Sequence, residues 1–344
     1  MKGGSELADK PLRWGILGTA AISRRAILPA IRSAGDSLVA VGSRQREKGQ
    51  ALADDFGIDT VYNSYQAVLD DPRVEAVYIP LPNDLHHPWT LEAAKTGKHI
   101  LCEKPLALNV KQANEMVTAC RDAGVVLSEA VFFRHNPRLA LLKQMIADGI
   151  IGKVKHVDFC FSFHLPDGPN IRWNPNTGGG ALYDTGSHGI SLVRYVLGKE
   201  PVRVSAVMNE RDRVDVTTVA NLLFDDDATA SVYVTFDATQ YQSLTVVGAN
   251  GVLRVPRPIA TWIVGGPIPG PARPFVLERD AVETLIQTPV PVDPYELMVR
   301  SFKRSVRHGE PVFLSGEDGI ANLKVIEACQ RSATSGRSEA LAAR

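Results

Sequence analysis

Leu12-Arg13-Trp14-Gly15-Ile16-Leu17-Gly18-Thr19-Ala20-Ala21-Ile22 is the stretch on which the fold turns. A mostly apolar run over Leu12–Leu17 meets Gly18 and small residues, which reads as a buried strand entering a tight turn before a helix. Such a turn lets backbone N–H groups and a helix N-terminus meet a pyrophosphate. The full pattern for that task is G-x-G-x-x-G, whereas Gly15, Gly18 and Ala20 are spaced G-x-x-G-x-A. By itself the turn suits either a dinucleotide site or any tight turn in an α/β domain. Thr19 and Ile22 complete the candidate cofactor contacts here.

Outward from this turn, short β-branched runs alternate with helical patterns as far as Phe133. Leu38–Ser43, Val74–Pro80, His99–Glu103 and Val125–Ala130 read as strands. Trp89–Thr96 and Val110–Ala123 read as helices, each followed by a glycine suited to a helix C′ position, Gly97 and Gly124. Alternation of this kind predicts a doubly wound, parallel Rossmann-type sheet with helices on both faces. From Pro137 the texture changes. A helix over Pro137–Asp148 precedes a strand over Val154–His164, and a Pro/Gly/Asn-rich loop leads to a helix over Gly180–Val196. Strands then follow in series at Val202–Met208, Thr217–Phe224, Thr229–Phe236, Ser243–Val247 and Val252–Val255, with turn residues at Asp225–Asp227 and Ala249–Gly251. Late helices include one over Ile320–Ser332, introduced by a capping-box pattern at Ser315 and Asp318. Strands in series predict an α+β domain with an open, mainly antiparallel sheet. The expected division is a flexible N-terminus over 1–11, a dinucleotide-binding domain over 12–133, a substrate and oligomerisation domain over 134–336 whose late helices pack back on the first domain, and a tail over 337–344.

Composition closes several alternatives. A length of 344 residues exceeds what one core usually fills, in keeping with two domains. With 38 basic and 38 acidic residues the net charge is zero, which gives no electrostatic footprint for nucleic acid or an anionic membrane. Cys102, Cys120, Cys160 and Cys329 are far apart, against a zinc knot or disulfide framework and for a reducing cytoplasm. The eight histidines form no metal-ligand spacing, so no metal is expected. No apolar leader opens the chain, and no run approaches the roughly 18 apolar residues of a membrane span. A cytoplasmic protein acting on a small molecule is the expectation.

Three further stretches carry chemistry. At the end of the second strand stand Ser43 and Arg44, with Arg46 and Lys48 behind, where a free ribose 2′-hydroxyl usually meets an acid instead. A hydroxyl beside a guanidinium suits a 2′-phosphate, which favours NADP over NAD; the alternative is a solvated basic helix start. Glu103-Lys104-Pro105 closes the strand begun at His99, at the sheet edge where ligands bind in open α/β folds. The Lys104 ammonium suits a substrate hydroxyl and a developing alkoxide, or else a surface pairing with Glu103. After Gly178-Gly179-Gly180, Asp184 and His188 stand four apart on one predicted helix face. A histidine oriented by a carboxylate suits general-base work near neutral pH, while a lone helical histidine is more often structural.

Gly15–Ala20, Glu103-Lys104-Pro105 and the Gly178–His188 motif, in this order, resemble the glucose-fructose oxidoreductase / inositol dehydrogenase (Gfo/Idh/MocA) family. The resemblance runs from Leu12 to about Gly336 and includes Pro80-Leu81-Pro82-Asn83 with His86. It implies a pyridine-nucleotide oxidoreductase that moves a hydride between nicotinamide and a carbinol carbon of a sugar or cyclic polyol. It also implies that Lys104, Asp184 and His188 form the catalytic group, that Pro80, Leu81 and Asn83 contact the cofactor, and that His86 sits at the rim of the nicotinamide pocket. Ile79–Asn83 and Asn170-Ile171-Arg172-Trp173 look most like the NADP-linked aldose 1-dehydrogenase and dihydrodiol dehydrogenase branch, although a tyrosine often stands there in place of His188. Arg172 and Trp173 follow a loop of the kind that covers cofactors, or equally plug a seam between domains. Arg134 and Asn136 line the substrate cleft or shape the hinge, and Glu103 and Glu129 end strands at the cofactor edge. A homodimer or tetramer through the open sheet is expected. Two rival readings use the same features: a ketoreductase of a nucleotide-linked keto-sugar, and a non-catalytic nucleotide-binding regulator.

Overall fold

A computed structural model describes residues 10–260 and 268–341. Most of the N-terminal stretch expected over 1–11, and the last three residues of the 337–344 tail, lie outside the described residues. The chain divides into two compact units, one joining the residues up to Phe132 with Asp293–Ile320, the other joining Phe133–Val292 with the chain from Ala321 onward.

The first unit holds β1 (Arg13–Leu17), β2 (Ser37–Gly42), β3 (Thr60–Tyr62), β4 (Ala76–Ile79), β5 (His99–Cys102) and β6 (Leu127–Glu129). All neighbours pair in parallel, in the order β3-β2-β1-β4-β5-β6. The order reverses between β1 and β4, and the crevice at their carboxyl ends is where open α/β sheets bind ligands. Helices α1 (Leu28–Ser33), α2 (Arg46–Phe56), α3 (Tyr65–Asp70), α4 (His86–Lys95) and α5 (Val110–Asp122) make the crossovers. Ile16, Leu17, Val77, Tyr78, Ile100 and Leu101 are wholly buried, as expected of strands covered on both faces. At the start of β1 the buried Asp36 carboxylate accepts the Leu12 N–H at 2.9 Å and the Trp14 indole N–H at 3.2 Å. β3 has three residues and lies at the sheet edge, too short to leave a period in the sequence.

The second unit holds α6 (Pro137–Ala147), β7 (Val154–Ser162), α7 (Ser187–Leu197) and the strands β8 (Arg203–Arg211), β9 (Val214–Leu223), β10 (Thr229–Thr235), β11 (Tyr241–Gly248), β12 (Val252–Pro256), β13 (Phe275–Arg279), β14 (Val282–Ile286) and β15 (Glu339–Ala340). They form one sheet in the order β14-β13-β12-β11-β7-β10-β9-β8-β15. Every pairing is antiparallel except β7 with β10, because α7 and the β8–β9 hairpin intervene and return the chain in the same direction. Every residue from Ser187 to Val196 is buried, so α7 is a core helix on one face of this sheet. Between β14 and β15 run α8 (Pro294–His308), which belongs to the first unit, and α9 (Gly316–Ser335).

Candidate active site

The two glycines of the turn serve different ends, conformation in one and packing in the other. Gly18 takes φ +107° and donates its N–H to the Gly42 carbonyl at 2.8 Å. A side chain is strained at that φ, and its Cβ would come within 3.0 Å of Leu81 Cδ2. Gly15, expected among the cofactor contacts, lies inside β1, where a Cβ would fall 2.5 Å from Val68 Cγ1 of α3. Its role is close helix-on-strand packing. The helix after the turn opens with a π-turn, Ser23–Ile27, with no side-chain cap. Thr19, Ala20 and Ile22 are half-buried beside it, and Pro80, Leu81 and Asn83 follow β4.

At the end of β2 the two residues of the expected phosphate cradle differ in what they touch. Ser43 is buried; its hydroxyl donates to the Gln45 carbonyl at 2.7 Å and accepts the Gln45 N–H at 3.2 Å. Those bonds form the loop and leave the hydroxyl committed to it, because a Ser two residues before a backbone amide closes a turn. Arg44, Arg46 and Lys48 are exposed, so the positive charge at this edge faces solvent.

The segment bearing Lys104 is held from two sides. The Lys104–Pro105 peptide is cis. His86 Nδ1 stands 2.9 Å from the Pro105 carbonyl and its Nε2 2.8 Å from the Leu81 carbonyl. Glu129 Oε1 accepts the Leu106 N–H at 2.8 Å. His86 was expected at the rim of the nicotinamide pocket, but it is wholly buried between two loops, and burial lowers its pKa. Glu129 is likewise buried and supports backbone. The Tyr78 hydroxyl donates to Glu103 Oε1 at 2.7 Å; burial, with the Glu103 charge second, holds that phenol well above its ordinary pKa. Glu103 Oε2 accepts the Lys104 N–H at 3.3 Å. Lys104 itself is half-buried at the carboxyl end of β5.

Asp184 and His188 belong to the second unit, and Lys104 to the first. Asp184 lies in a second π-turn, Leu182–Gly186, which runs directly into α7. π-turns inside helices often mark functional sites, and both candidate functional helices begin with one. The Asp184 carboxylate is gripped by Arg172, with Nε to Oδ2 at 2.7 Å and Nη2 to Oδ1 at 3.2 Å. His188 is buried, its ring edge-on to Phe133 at 5.3 Å. Trp173 donates its indole N–H to the Pro166 carbonyl at 3.0 Å, meets Phe236 edge-on and lies under the Arg211 guanidinium. Asn136 Oδ1 accepts the Arg138 N–H at 3.0 Å as the N-cap of α6, and Arg134 lies over the Tyr195 ring. Both therefore shape the segment after Phe133.

One residue that shapes this helix was missed in the sequence. Asp215 on β9 is buried, and its Oδ2 accepts the Leu182 N–H and the Thr218 hydroxyl, both at 2.7 Å. Burial pushes its carboxyl up to about 6, against those hydrogen bonds. The sequence gives no signal for it: Val214-Asp215-Val216 alternates as a half-buried strand does, so the acid reads as an ordinary outward-facing residue.

Comparison with known proteins assigns the chain to a family. Residues 12–131 match a family model described as an oxidoreductase family with an NAD-binding Rossmann fold, and 139–254 match the C-terminal domain model of the same family. A D-xylose 1-dehydrogenase (NADP(+)) of Haloferax volcanii is 35% identical, covering 94% of this chain and 98% of its own. A dTDP-3,4-didehydro-2,6-dideoxy-alpha-D-glucose 3-reductase of Actinomadura kijaniata is 31% identical, covering 94% of this chain and 96% of its own. The crystal structure of an aldose-aldose oxidoreductase from Caulobacter crescentus, complexed with glycerol, superposes with a TM-score of 0.88 at 28% identity, covering 96% of this chain and all of that one.

Proposed function

We propose that this chain, which belongs to the Gfo/Idh/MocA oxidoreductase family, is an NADP-preferring dehydrogenase of a sugar or cyclic polyol. The observation that carries the reading is the bracing of the Lys104 segment by His86 and Glu129 at the carboxyl end of β5. A catalytic ammonium needs a fixed base, because misplacement by about 1 Å costs on the order of 10²-fold in rate. The bound nucleotide supplies a hydride acceptor or donor at nicotinamide C4. Lys104 donates a hydrogen bond to the reacting oxygen and stabilises charge that develops there. His188 takes the hydroxyl proton in oxidation and returns it in reduction. Asp184, oriented by Arg172, binds a neighbouring hydroxyl. Gly18, having no side chain, lets the pyrophosphate approach the turn that follows β1, and Arg44 meets the 2′-phosphate.

Reduction of a nucleotide-linked keto-sugar uses the same residues in the reverse direction, and the Actinomadura relative carries that name. We further infer a cytoplasmic homo-oligomer. The four free cysteines suit a reducing compartment, and no helix among the described residues is long and apolar enough to cross a membrane.

Purified protein mixed with NADP and a panel of aldoses, followed by absorbance of the reduced cofactor, tests the reading. Turnover of at least one aldose or cyclic polyol is expected, and Lys104→Ala should lower kcat by about 10²–10⁴-fold with nucleotide affinity unchanged. Silence with every sugar and sugar nucleotide, together with turnover of a non-sugar alcohol, would sink the substrate class. Full activity of Lys104→Ala would remove that residue from the mechanism.

A further inference from the structure

The helix bearing Asp184 and His188 begins without a cap of its own. Ala181, at its N-terminus, has no side-chain oxygen to offer, and the first-turn N–H groups of any helix need outside partners. The partner comes from β9, 33 residues on, where Asp215 Oδ2 accepts the Leu182 N–H at 2.7 Å. Thr218, three residues further along the same strand, donates to the same oxygen at 2.7 Å and is wholly buried, which fixes the carboxylate. The approach is so close that a Cβ on Gly180 would stand 1.9 Å from Asp215 Oδ1. Gly180 takes φ +116°, and a Cβ on Gly179 would fall 2.5 Å from the Arg172 carbonyl. The glycine run therefore exists to let a loop and a carboxylate close on the helix start.

We propose that Asp215, seated by Thr218, is a positioning residue that sets the placement of Asp184 and His188 through the Leu182 amide. The route is short. Leu182 receives the carboxylate at its N–H, and its carbonyl accepts the Ser187 N–H across the π-turn. Ser187 is the neighbour of His188 and also donates its hydroxyl to the Asp184 carbonyl at 3.0 Å. Loss of the clamp lets this turn relax toward ordinary α geometry, which rotates both side chains about the helix axis.

The test has a local arm and a kinetic arm, and only the kinetic arm rests on the sugar-oxidoreductase reading. Hydrogen–deuterium exchange over the peptide containing Leu182–His188 should speed up about tenfold or more in Asp215→Ala and stay slow in Asp215→Asn, whose amide oxygen can still accept both donors. In the kinetic arm Asp215→Ala should lose about tenfold or more in kcat with KM and NADP affinity unchanged, and Asp215→Asn should recover it to within about threefold. Should Asp215→Ala not fold, Thr218→Val serves in its place, with faster exchange and a kcat lower by a few fold. Unchanged exchange in the alanine or valine variant overturns the clamp. Wild-type kcat per folded molecule, with exchange accelerated, overturns the positioning role. If the wild type turns over no sugar, the proposed function fails, while exchange still decides the clamp.

Discussion

At the scale of single residues, Ser43 and Arg44 differ although the sequence assigns one task to both. The Ser43 hydroxyl is bonded twice to Gln45, so it holds the loop, while the Arg44 side chain is exposed; under the proposed function its charge meets the 2′-phosphate. Arg44→Asp should therefore raise the KM for NADP by about tenfold or more relative to NAD, since a charge-assisted contact is replaced by repulsion. Ser43→Ala should weaken both nucleotides to a similar, smaller degree. Steady-state kinetics with the two cofactors decide it, and a Ser43→Ala loss confined to NADP would return the hydroxyl to the phosphate. The residue types were legible here, but which atoms were already spent was not. The same holds for His86 and Glu129, which the sequence places at the cofactor edge and whose polar atoms hold the Lys104–Leu106 backbone. A sequence motif reports chemistry at a spacing, and the loops that close over it decide who faces the ligand.

At the scale of elements, the helix that begins at Gly180 was expected, but its π-turn and its imported cap were not, because a cap from 33 residues away leaves no local pattern. Glycines of the two units can be ranked by geometry. Gly180→Ala places a Cβ against the Asp215 carboxylate at a strained φ and should cost about 2–4 kcal/mol. Gly97→Ala, at a helix end with open space around it, should cost only about 1–2 kcal/mol. Urea midpoints at constant m-value measure both, and equal costs would mean that the Asp215 contact is soft. The same carboxylate gives a pH dependence of known sign. Its pKa is raised from 3.8 to about 6 by burial, with Glu210 adding to the rise, and it acts in turn on Tyr183 and Cys329. The folded state then holds this proton more tightly than the unfolded one, so the stability it contributes is present below 3.8 and is lost as pH rises through about 6. Asp215→Asn lacks that loss and should gain on the wild type between about pH 4 and pH 7, by up to about 3 kcal/mol. A gap that stays constant over this range would mean that the carboxyl titrates normally. A charge kept at such a cost beside a candidate catalytic helix is what a functional constraint produces.

For the molecule as a whole, the two textures in the sequence, alternating strands and helices and then strands in series, account for both sheets but not for every strand. β3, β13, β14 and β15 escaped because they are short or follow irregular stretches, and the parallel β7–β10 pair because pairing partners are not written in local periodicity. The nine-stranded sheet has one further property that bears on assembly. One face is covered by α7, whereas on the other Val207, Val219 and Tyr233 pair in a single row across β8, β9 and β10, with Leu223 and Tyr241 nearby. All five are exposed, Val207 by 73% and Tyr241 by 53%, and the net charge of zero puts no repulsion between copies. Two valines, two tyrosines and a leucine exposed on one face of the sheet have the composition of an interface core rather than a solvated face. A second copy of the chain, seated on this face, is the proposed occupant. Sedimentation should then show a dimer or larger species at micromolar concentration, and Val207→Asp should shift it toward the 37.3 kDa monomer. The aspartate stands on the open face, so it should leave the circular dichroism spectrum unchanged. A wild-type chain that sediments as a monomer, or a Val207→Asp chain that keeps the wild-type mass, would place the oligomer contact elsewhere or remove it.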